Sequence, residues 1–360
     1  MKYEYLLSAA LFLPPKKRKA LRGAFYGAEN LYREREERIR STGILTEEEI
    51  YGWLDFRRRQ DPDRLWDSLM RKGISFLPYF SEDFPRGISV ISDAPYALYY
   101  KGSLPPDRGC IAIVGARNCS AYGMAMTKEI GEALSRAGFT IISGMARGVD
   151  GVAHRAALSV GGATTAVLGC GPDVIYPKSN RDIYEEIVKN GCILSEFLPE
   201  TEPRPDFFPQ RNRLISALSD IVVVTEAREK SGSLITAGFA ADQGKDVYAL
   251  PGRITDPLSK GCNKLIADGA AVITGTGEFL RQLSEFYPGE LHLVSAQTSN
   301  FNLEKEELLV YSCLDFYAVG IDEIQRKTSL SLLDTVTALV SLSEKGLARE
   351  CYINQYVKLR

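Results

Sequence analysis

Two segments near the middle of the chain decide its fold. Residues 110–117 read Cys-Ile-Ala-Ile-Val-Gly-Ala-Arg, and residues 140–151 read Thr-Ile-Ile-Ser-Gly-Met-Ala-Arg-Gly-Val-Asp-Gly. Each begins with a short apolar run rich in β-branched residues and continues into a glycine-rich turn. A strand that is apolar on both faces is typical of a parallel sheet covered by helices on both sides. The two segments therefore predict consecutive βα units.

The same alternation continues on both sides of these segments. We predict strands at 111–114, 140–143, 164–168, 192–195, 221–225 and 247–250. We predict helices between them at 123–137, 148–159, 181–189, 212–218 and 233–242. This alternation predicts an α/β fold with a doubly wound, mainly parallel, Rossmann-like sheet. Ligands of such folds bind at the carboxyl ends of the strands.

Two further units are predicted around this central one. Residues 1–75 read as a helical domain, with short helices at 5–13, 17–25, 30–40, 47–58 and 62–72. Residues 76–290 form the Rossmann-like domain, to which 97–100 can add a strand, and 278–300 read as a polar linker. Residues 301–360 read as three helices and a hairpin, the order of a winged-helix domain. This last unit is slightly acidic, which favours a protein contact at least as much as binding in a DNA groove.

The composition excludes several classes of protein. The 360 residues carry 44 Lys+Arg and 46 Asp+Glu, a net charge of −2, which excludes a histone-like polycation but not a local basic groove. Hydrophobic residues at 45% and charged residues at 25% are ordinary for a globular protein. No apolar run reaches the roughly 18 residues of a membrane span, and the start lacks the order of a signal peptide. The 7 cysteines contain no Cys-x-x-Cys pair, so we predict a cytoplasmic protein with reduced thiols and no metal.

The turn after the first of these parallel strands carries an arginine. Gly115 leaves the strand, and Arg117 stands where a dinucleotide-binding turn has its second glycine. A guanidinium there would crowd a pyrophosphate, but it suits a phosphodiester that lies across the strand ends. The alternative is a structural turn whose arginine points into solvent. The turn taken alone slightly favours that alternative.

The turn after the second strand contains an acid and a histidine. Asp150 suits the N-cap of the following helix, and His154, four residues on, lies on the same side. A histidine beside a carboxylate can act as a general base, but we favour a capping interaction that holds the turn. The other histidine, His292, lies in the predicted linker, so the sequence predicts no metal-ligand cluster.

Cationic residues also follow later strands. Lys178 and Asn180 stand at a predicted helix start, where a cation and an amide can share a phosphate. Arg211 and Arg213 open another predicted helix after two phenylalanines, and cations beside aromatic rings suit a single-stranded nucleic acid. Surface arginines paired with Asp206 or Asp220 are the alternative. The Ser-Gly-Ser turn at 231–233 can bind an anion at a helix N-terminus, or it can simply cap that helix.

Taken together, these turns resemble the DNA-processing protein A family (DprA, also called Smf). The resemblance covers essentially the whole chain and is most specific over 78–290. It rests on Gly-Ala-Arg at 115–117, Ser-Gly-Met-Ala-Arg-Gly-Val-Asp-Gly-x-Ala-His at 143–154, Tyr-Pro-Lys-Ser-Asn at 176–180, Arg-Asn-Arg at 211–213, Ser-Gly-Ser-Leu-Ile-Thr-Ala at 231–237 and Leu-Pro-Gly at 250–252. The N-terminal helices resemble the sterile-alpha-motif-like or helix-hairpin-helix unit of that family, and the tail resembles its winged-helix appendage.

The resemblance implies an extended Rossmann-like fold that binds single-stranded DNA without catalysis. It also implies that the protein protects incoming DNA and loads RecA recombinase onto it in natural transformation and recombination. A homodimer with no cofactor and no membrane attachment is implied as well. The residues carried over to a DNA site are Gly115, Arg117, Lys178, Asn180, Arg211, Asn212 and Arg213, with Arg204, Ser231, Gly232 and Ser233 as further candidates for phosphate contacts.

The competing hypothesis is an enzyme, a nucleotide-binding hydrolase of the nucleoside-monophosphate phosphoribohydrolase type. Proteins of that type on a related fold typically read Pro-Gly-Gly-x-Gly-Thr at the fifth strand, followed by a glutamate. This chain reads Lys-Ser-Gly-Ser-Leu-Ile-Thr at 230–236, and no glutamate follows within that helix. The difference counts against the hydrolase. An oxidoreductase is disfavoured further, because the Gly-x-Gly-x-x-Gly turn is absent.

Overall fold

The structure is a computed structural model, and it describes residues 1–287 and 303–359. Its helices are α1 (Lys2–Ala9), α2 (Pro15–Ala24), α3 (Ala28–Arg33), α4 (Glu36–Ser41), α5 (Glu47–Arg59), α6 (Pro62–Arg71), α7 (Arg86–Ser89), α8 (Ala121–Arg136), α9 (Val149–Ser159), α10 (Arg181–Asn190), α11 (Phe207–Ala217), α12 (Gly232–Asp242), α13 (Lys260–Ala267), α14 (Thr276–Phe286), α15 (Lys305–Cys313), α16 (Ile321–Thr328) and α17 (Leu332–Glu344). Its strands are β1 (Ser75–Pro78), β2 (Ala97–Gly102), β3 (Cys110–Val114), β4 (Thr140–Ser143), β5 (Thr164–Val167), β6 (Cys192–Ser195), β7 (Ile221–Val224), β8 (Asp246–Ala249), β9 (Ala271–Val272), β10 (Val319–Gly320), β11 (Ala348–Tyr352) and β12 (Gln355–Lys358). Among the described residues, no helix is both long and apolar enough to cross a membrane.

Helices α1–α6 surround an apolar core in which Trp53 is fully buried, and Tyr96 and Ala97 at the start of β2 complete it. Local signals set the helix starts. Thr46 and Glu49 exchange side-chain and backbone hydrogen bonds in a capping box at α5. The Asp61 carboxylate accepts the first N–H groups of α6, which has proline at its first position.

The single helix predicted over 30–40 is wrong, because the chain forms α3 and α4 with extended backbone at Glu34 between them. The guanidinium of Arg57 donates to the carbonyl oxygens of Tyr32, at 3.1 Å, and Glu34, at 2.7 Å. These two carbonyl groups at the break are therefore paired with a side chain from α5, which the local sequence does not reveal.

The central sheet has the order β1-β2-β6-β5-β4-β3-β7-β8-β9 in the described residues. Strands β3 to β9 are parallel, and β2 and β1 continue the sheet antiparallel beyond β6. The prediction of a doubly wound, mainly parallel sheet is confirmed. The predicted strands lie within one residue of β3–β8, because those runs are apolar on both faces. The short strands β1 and β9 are additions that the sequence pattern did not indicate.

Helices cover both faces of this sheet. On one face, Ile130 of α8 and Leu283 of α14 belong to a cluster of buried apolar residues with strands β3, β4 and β7. On the other face, Leu214 of α11 and Ala240 of α12 do the same. The chain winds from β3 outward to β6 and then returns to β7, so the strand order reverses between β3 and β7. That reversal creates the crevice in which ligands of such sheets bind.

The linker predicted at 278–300 is wrong over its first residues, where α14 packs against the sheet. Phe279, Leu283 and Tyr287 recur every fourth residue and are buried, and the ring of Phe279 lies 4.8 Å from that of Tyr248. The polar residues between them masked this apolar stripe in the sequence. The rest of the predicted linker, including His292, lies outside the described residues.

Residues 303–359 contain α15, α16 and α17 and a small antiparallel sheet of order β10-β12-β11. Val310, Ile324 and Leu339 are fully buried in its core. The buried carboxylate of Glu307 accepts hydrogen bonds at 2.6 Å from Lys345, which lowers its pKa to about 2. The predicted order of three helices and a hairpin is found here, with β10 added before α16.

Candidate nucleic-acid interface

A cleft of about 580 Å³ opens at the reversal between β3 and β7. The turns after β3, β4 and β7 and the start of α11 line it. Arg117, Phe208, Arg211 and the Ser-Gly-Ser turn at 231–233 all contribute to its walls. The cleft lies at the strand-end edge to which the sequence assigned ligand binding.

An exposed arginine and two aromatic rings stand together in this cleft. The guanidinium carbon of Arg117 lies 5.3 Å from the centre of the Phe208 ring. The Phe208 ring lies 5.6 Å from that of Tyr176, which is 42% exposed. Arg117 forms no ion pair within residues 1–287 and 303–359, so its charge is available to a ligand. A cation beside accessible ring faces is the combination that single-stranded nucleic acid requires.

Lys178 follows Tyr176, which lines the cleft, by two residues and is not itself part of the lining. It begins a short 3-10 turn, Lys178–Asn180, that leads into α10, and its side chain is exposed. Its ammonium group has no hydrogen-bond or ion-pair partner in the described part of the chain. Arg117 and Lys178 thus follow β3 and β5 at the same edge of the sheet, as predicted from the order of the strands.

Arg211 is buried, with only 4% of its surface exposed. Its Nη1 donates to the carbonyl oxygen of Gly144 at 2.6 Å and also to that of Val167, and its Nε donates to Asn212 at 3.2 Å. Gly144 follows β4 and Val167 ends β5, so the guanidinium joins both strand ends to α11. A Cβ at Gly144 would collide with this guanidinium. Burial raises the pKa of the Asp150 carboxyl, and the charge of Arg211 opposes that shift.

The predicted helix start at Arg211 and Arg213 is wrong. Helix α11 begins at Phe207, so both arginines lie beyond its first turn, and both are buried. Pro209 lies in the first turn of this helix, where proline is tolerated because its missing N–H is not needed there. The other named residue of this motif, Asn212, donates to the carbonyl oxygen of Gly232 at 3.2 Å and so connects α11 to the start of α12.

Arg213 forms ion pairs with Glu196 at 2.6 Å and Asp93 at 2.8 Å. The alternative pairing with Asp206 or Asp220 is therefore wrong. Asp206 pairs with Arg204 at 3.1 Å, and Asp220 accepts the backbone N–H groups of Gly109 and Cys110. Arg204 itself is exposed and lies 4.9 Å from the ring centre of Phe207, outside the lining of the cleft.

Two further candidates have structural roles that the sequence did not indicate. Asn180 is buried and donates to the carbonyl oxygens of Met145 at 3.0 Å and Ala146 at 3.2 Å, which holds the turn after β4. At Gly115, a Cβ would lie 2.7 Å from Cγ2 of Val149. Glycine is required there by this internal packing, whatever binds in the cleft.

The Ser-Gly-Ser turn caps α12 and opens into the cleft. The Ser231 hydroxyl accepts the N–H of Ser233 at 3.4 Å, while Gly232 is exposed. Beside the turn stand two exposed cations, Arg228 and Lys230, which also line the cleft. Neither residue was predicted from the sequence as a site residue, although both lie between a buried strand and a helix start, where an anion can bind.

A carboxylate occupies the N-terminus of α8, the helix that follows β3. Glu226 accepts the backbone N–H of Ser120 at 2.8 Å and the Ser120 hydroxyl at 2.5 Å, and a Cβ at Gly123 would collide with its Oε2. Burial raises the pKa of Glu226, and the hydrogen bonds from Ser120 oppose that shift. Dinucleotide-binding folds place a pyrophosphate at this helix end. Here the chain's own carboxylate fills the position.

Asp150 and His154 have structural contacts. The predicted N-cap at Asp150 is wrong, because α9 begins at Val149 with Gly148 as its N-cap and Asp150 lies in the first turn. His154 is fully buried, its Nδ1 lies 2.7 Å from the Thr164 hydroxyl, and burial lowers its pKa to about 3. The imidazole is therefore neutral at physiological pH and does not line the cleft. In the described ranges, no three His, Cys, Asp or Glu residues are grouped as they would be around a metal ion.

The fold and the cleft together define a Rossmann-like protein with a cleft at its strand ends that is lined by cations and aromatic rings. The family model of DNA recombination-mediator protein A matches residues 75–284. The DNA processing protein DprA of Bacillus subtilis is 39% identical over 224 residues, which span 62% of this chain and 75% of that protein. Protein Smf of Synechocystis is 37% identical over 328 residues, or 82% of each chain.

Solved structures agree with these sequence matches. An X-ray structure of DNA processing protein A from Streptococcus pneumoniae superposes with a TM-score of 0.67 at 33% identity, covering 78% of this chain and 98% of that one. A structure of DNA processing protein A from Helicobacter pylori, described for its single-stranded DNA binding mode, has a TM-score of 0.54 at 34% identity, covering 59% and 96%. The chain belongs to the DNA recombination-mediator protein A family, whose curated members bear the names DprA and Smf.

Proposed function

We propose that this chain binds single-stranded DNA in the cleft between β3 and β7, without turning it over. The observation that carries the proposal is the exposed guanidinium of Arg117 above Phe208, with Tyr176 exposed beside it. The Helicobacter pylori relative, described as binding single-stranded DNA, supports the same ligand class.

The two exposed cations have a defined role in this proposal. Arg117 binds a phosphodiester through its planar fork of N–H donors, and Lys178 neutralises a second phosphate further along the strand. Unstacked bases lie against the rings of Tyr176 and Phe208. Because the bases of a duplex are already stacked and paired, they cannot use these ring faces. Arg228, Lys230 and the N-terminus of α12 extend the positive wall of the cleft.

The buried candidates are positioning residues in this proposal. The polar groups of Arg211, Asn180 and Asn212 bind backbone carbonyl groups of the turns that form the cleft. Arg213 fixes α11 through Glu196 and Asp93, at a distance from the cleft lining. Their direct contact with DNA stays a prediction, and their support of the cleft is the role that the observed hydrogen bonds favour.

We extend the proposal to the cellular role implied by the family. The protein protects incoming single strands and loads RecA recombinase onto them in natural transformation and recombination, as a homodimer in the cytoplasm. Its N-terminal helices act as a sterile-alpha-motif-like or helix-hairpin-helix domain, and residues 303–359 act as a winged-helix domain. Family membership over residues 75–284 and the similarity to Protein Smf over 82% of the chain support this extension.

A binding titration with matched oligonucleotides tests the ligand class. The same sequence is labelled as a single strand and as a duplex, and binding is measured from low to physiological salt. We expect the single strand to bind more tightly, with an affinity that falls as salt rises because each phosphate contact releases counterions. Equal or tighter binding of the duplex would refute the proposed ligand. RecA assembly on a long single strand, followed by electron microscopy, tests the cellular role and is expected to begin sooner when the protein is present.

A further inference from the structure

The turn between α15 and β10 touches the carboxyl edge of the central sheet beside the cleft. The Phe316 ring lies 5.6 Å from that of Tyr122, in the first turn of α8. The guanidinium carbon of Arg253 lies 3.6 Å from the Tyr317 ring centre, and its Nη2 lies 3.8 Å from the carboxylate of Asp315. A cation of the central domain is thus covered by one ring and paired with one acid of residues 303–359.

Arg253 belongs to the strand-end edge that holds the cleft. It follows β8 in a loop whose later residue Leu258 lines the cleft and accepts the N–H of Ala227, in the turn after β7, at 2.8 Å. Parallel strands β7 and β8 are neighbours, so Arg253 lies one strand beyond the proposed DNA site. A single strand leaving the cleft across these strand ends would meet this guanidinium next.

We infer that residues 303–359 act as a latch that withholds Arg253 from DNA, and that the strand must displace this latch to use the outer end of the cleft. The inference rests on the proposed function of the cleft. Asp315 supplies a negative charge where a phosphate would bind, and Tyr317 covers the face of the guanidinium. The net charge of the unit is also weakly negative, so it is repelled by the ligand that competes with it.

The contact between Arg253 and Asp315 is exposed and weak enough for DNA to displace it. A second cavity, of about 410 Å³, lies around Arg253, Asp315 and Tyr317, so the two units do not form a close-packed core at this point. The side chains of Arg253 and Asp315 remain 58% and 55% exposed. An exposed pair of this kind is weak and is screened by salt. A phosphate that binds Arg253 bidentately can therefore replace the carboxylate.

The test compares two variants of the full chain that remove the same charge. Asp315→Asn removes the carboxylate beside Arg253. Asp322→Asn is the matched control, because Asp322 is exposed on the same unit and its side chain has no ion-pair partner within the described residues. Binding of fluorescein-labelled oligothymidylate is measured by anisotropy over a range of salt, and each substitution is repeated in an Arg253→Ala background.

We expect Asp315→Asn to bind about threefold more tightly than Asp322→Asn, the size of effect of one screened ion pair. The slope of log affinity against log salt should become steeper by about 0.7, the change for one additional phosphate contact on a single strand. Both differences should vanish in the Arg253→Ala background. Equal affinity of the two variants, or an equal gain in the Arg253→Ala background, would overturn the latch.

A measurement without DNA separates the latch from the proposed function. Trypsin cleaves after Arg253, and the next residue, Ile254, is 85% exposed. We expect faster cleavage of this bond in Asp315→Asn than in Asp322→Asn, as followed by mass spectrometry. If Asp315→Asn is cleaved faster than Asp322→Asn but no variant binds the oligonucleotide, the proposed function is refuted, and with it the role of the latch in DNA binding. Binding to DNA with identical cleavage and identical affinity refutes the latch alone.

Discussion

Removing both Arg117 and Lys178 is expected to weaken the binding of single-stranded DNA by about a hundredfold. In the proposed site, Arg117→Ala and Lys178→Ala would each delete one phosphate contact, and a hydrogen bond to a charged group contributes about 1.5–3 kcal/mol. Both side chains are exposed to solvent, so we expect a loss of binding free energy at the lower end of that range. At 1.4 kcal/mol per tenfold change in affinity, each substitution then weakens binding about tenfold. The two residues follow different strands and share no hydrogen bond, so their losses should add.

The assay is a fluorescence anisotropy titration of oligothymidylate with each single variant and the double variant. The salt slope of the double variant should be shallower by about 1.4, because two phosphate contacts are missing. The loss should also be the same on oligonucleotides of different sequence, because phosphate contacts carry no base information. Lys189→Ala is the control, since this exposed lysine lies at the end of α10, just before the amino end of β6 and away from the carboxyl ends of the strands.

A comparison with a chain that lacks residues 301–360 decides between the cleft and the C-terminal unit as the DNA site. We expect this deletion to cost much less affinity than the double substitution, and the latch inferred above predicts a modest gain. If the double variant binds like the unaltered chain while the deletion abolishes binding, the DNA site lies in the C-terminal unit. The assignment of the cleft would then be wrong.

Two further predictions follow from particular contacts, and a third concerns catalysis. Gly144→Ala should lower the free energy of unfolding by about 1–3 kcal/mol in urea titrations, because its Cβ would collide with the Arg211 guanidinium. Gly238→Ala is the control and should be neutral or stabilising, since no atom lies near its Cβ. Equal effects of the two substitutions would contradict the buried position described for Arg211. Glu307→Gln should destabilise residues 303–359 at pH 7. The difference in thermal stability between this variant and the unaltered chain should shrink as the pH falls from about 4.5 towards the depressed pKa of about 2, because the stabilising carboxylate is lost on protonation. A difference that is independent of pH would show that Lys345 does not stabilise the ionised form. Incubation with adenosine monophosphate should yield no product above background, and reproducible turnover would favour the hydrolase hypothesis instead.

The sequence by itself determined the parts of the molecule that depend on local pattern. The apolar runs of β3–β8 predicted the strands, since a strand buried on both faces must be apolar throughout. Their order along the chain, with helices between them, predicted the doubly wound sheet and the edge at which the cleft lies. Arg117 and Lys178 were predicted at that edge because each follows a parallel strand in the chain, and the carboxyl ends of such strands share one edge of the sheet.

The tertiary structure alone decided which polar groups remain available to a ligand. Arg211 looked like Arg117 in the sequence, yet backbone carbonyl groups of Gly144 and Val167 meet its guanidinium in the interior. Glu226 reaches the N-terminus of α8 from 106 residues away along the chain, and no local pattern indicates that contact. A side chain's type sets which bonds it can form, but long-range packing brings the competing partners to it. For that reason the sequence located the cleft, while the fold determined which of its charged residues remain exposed there.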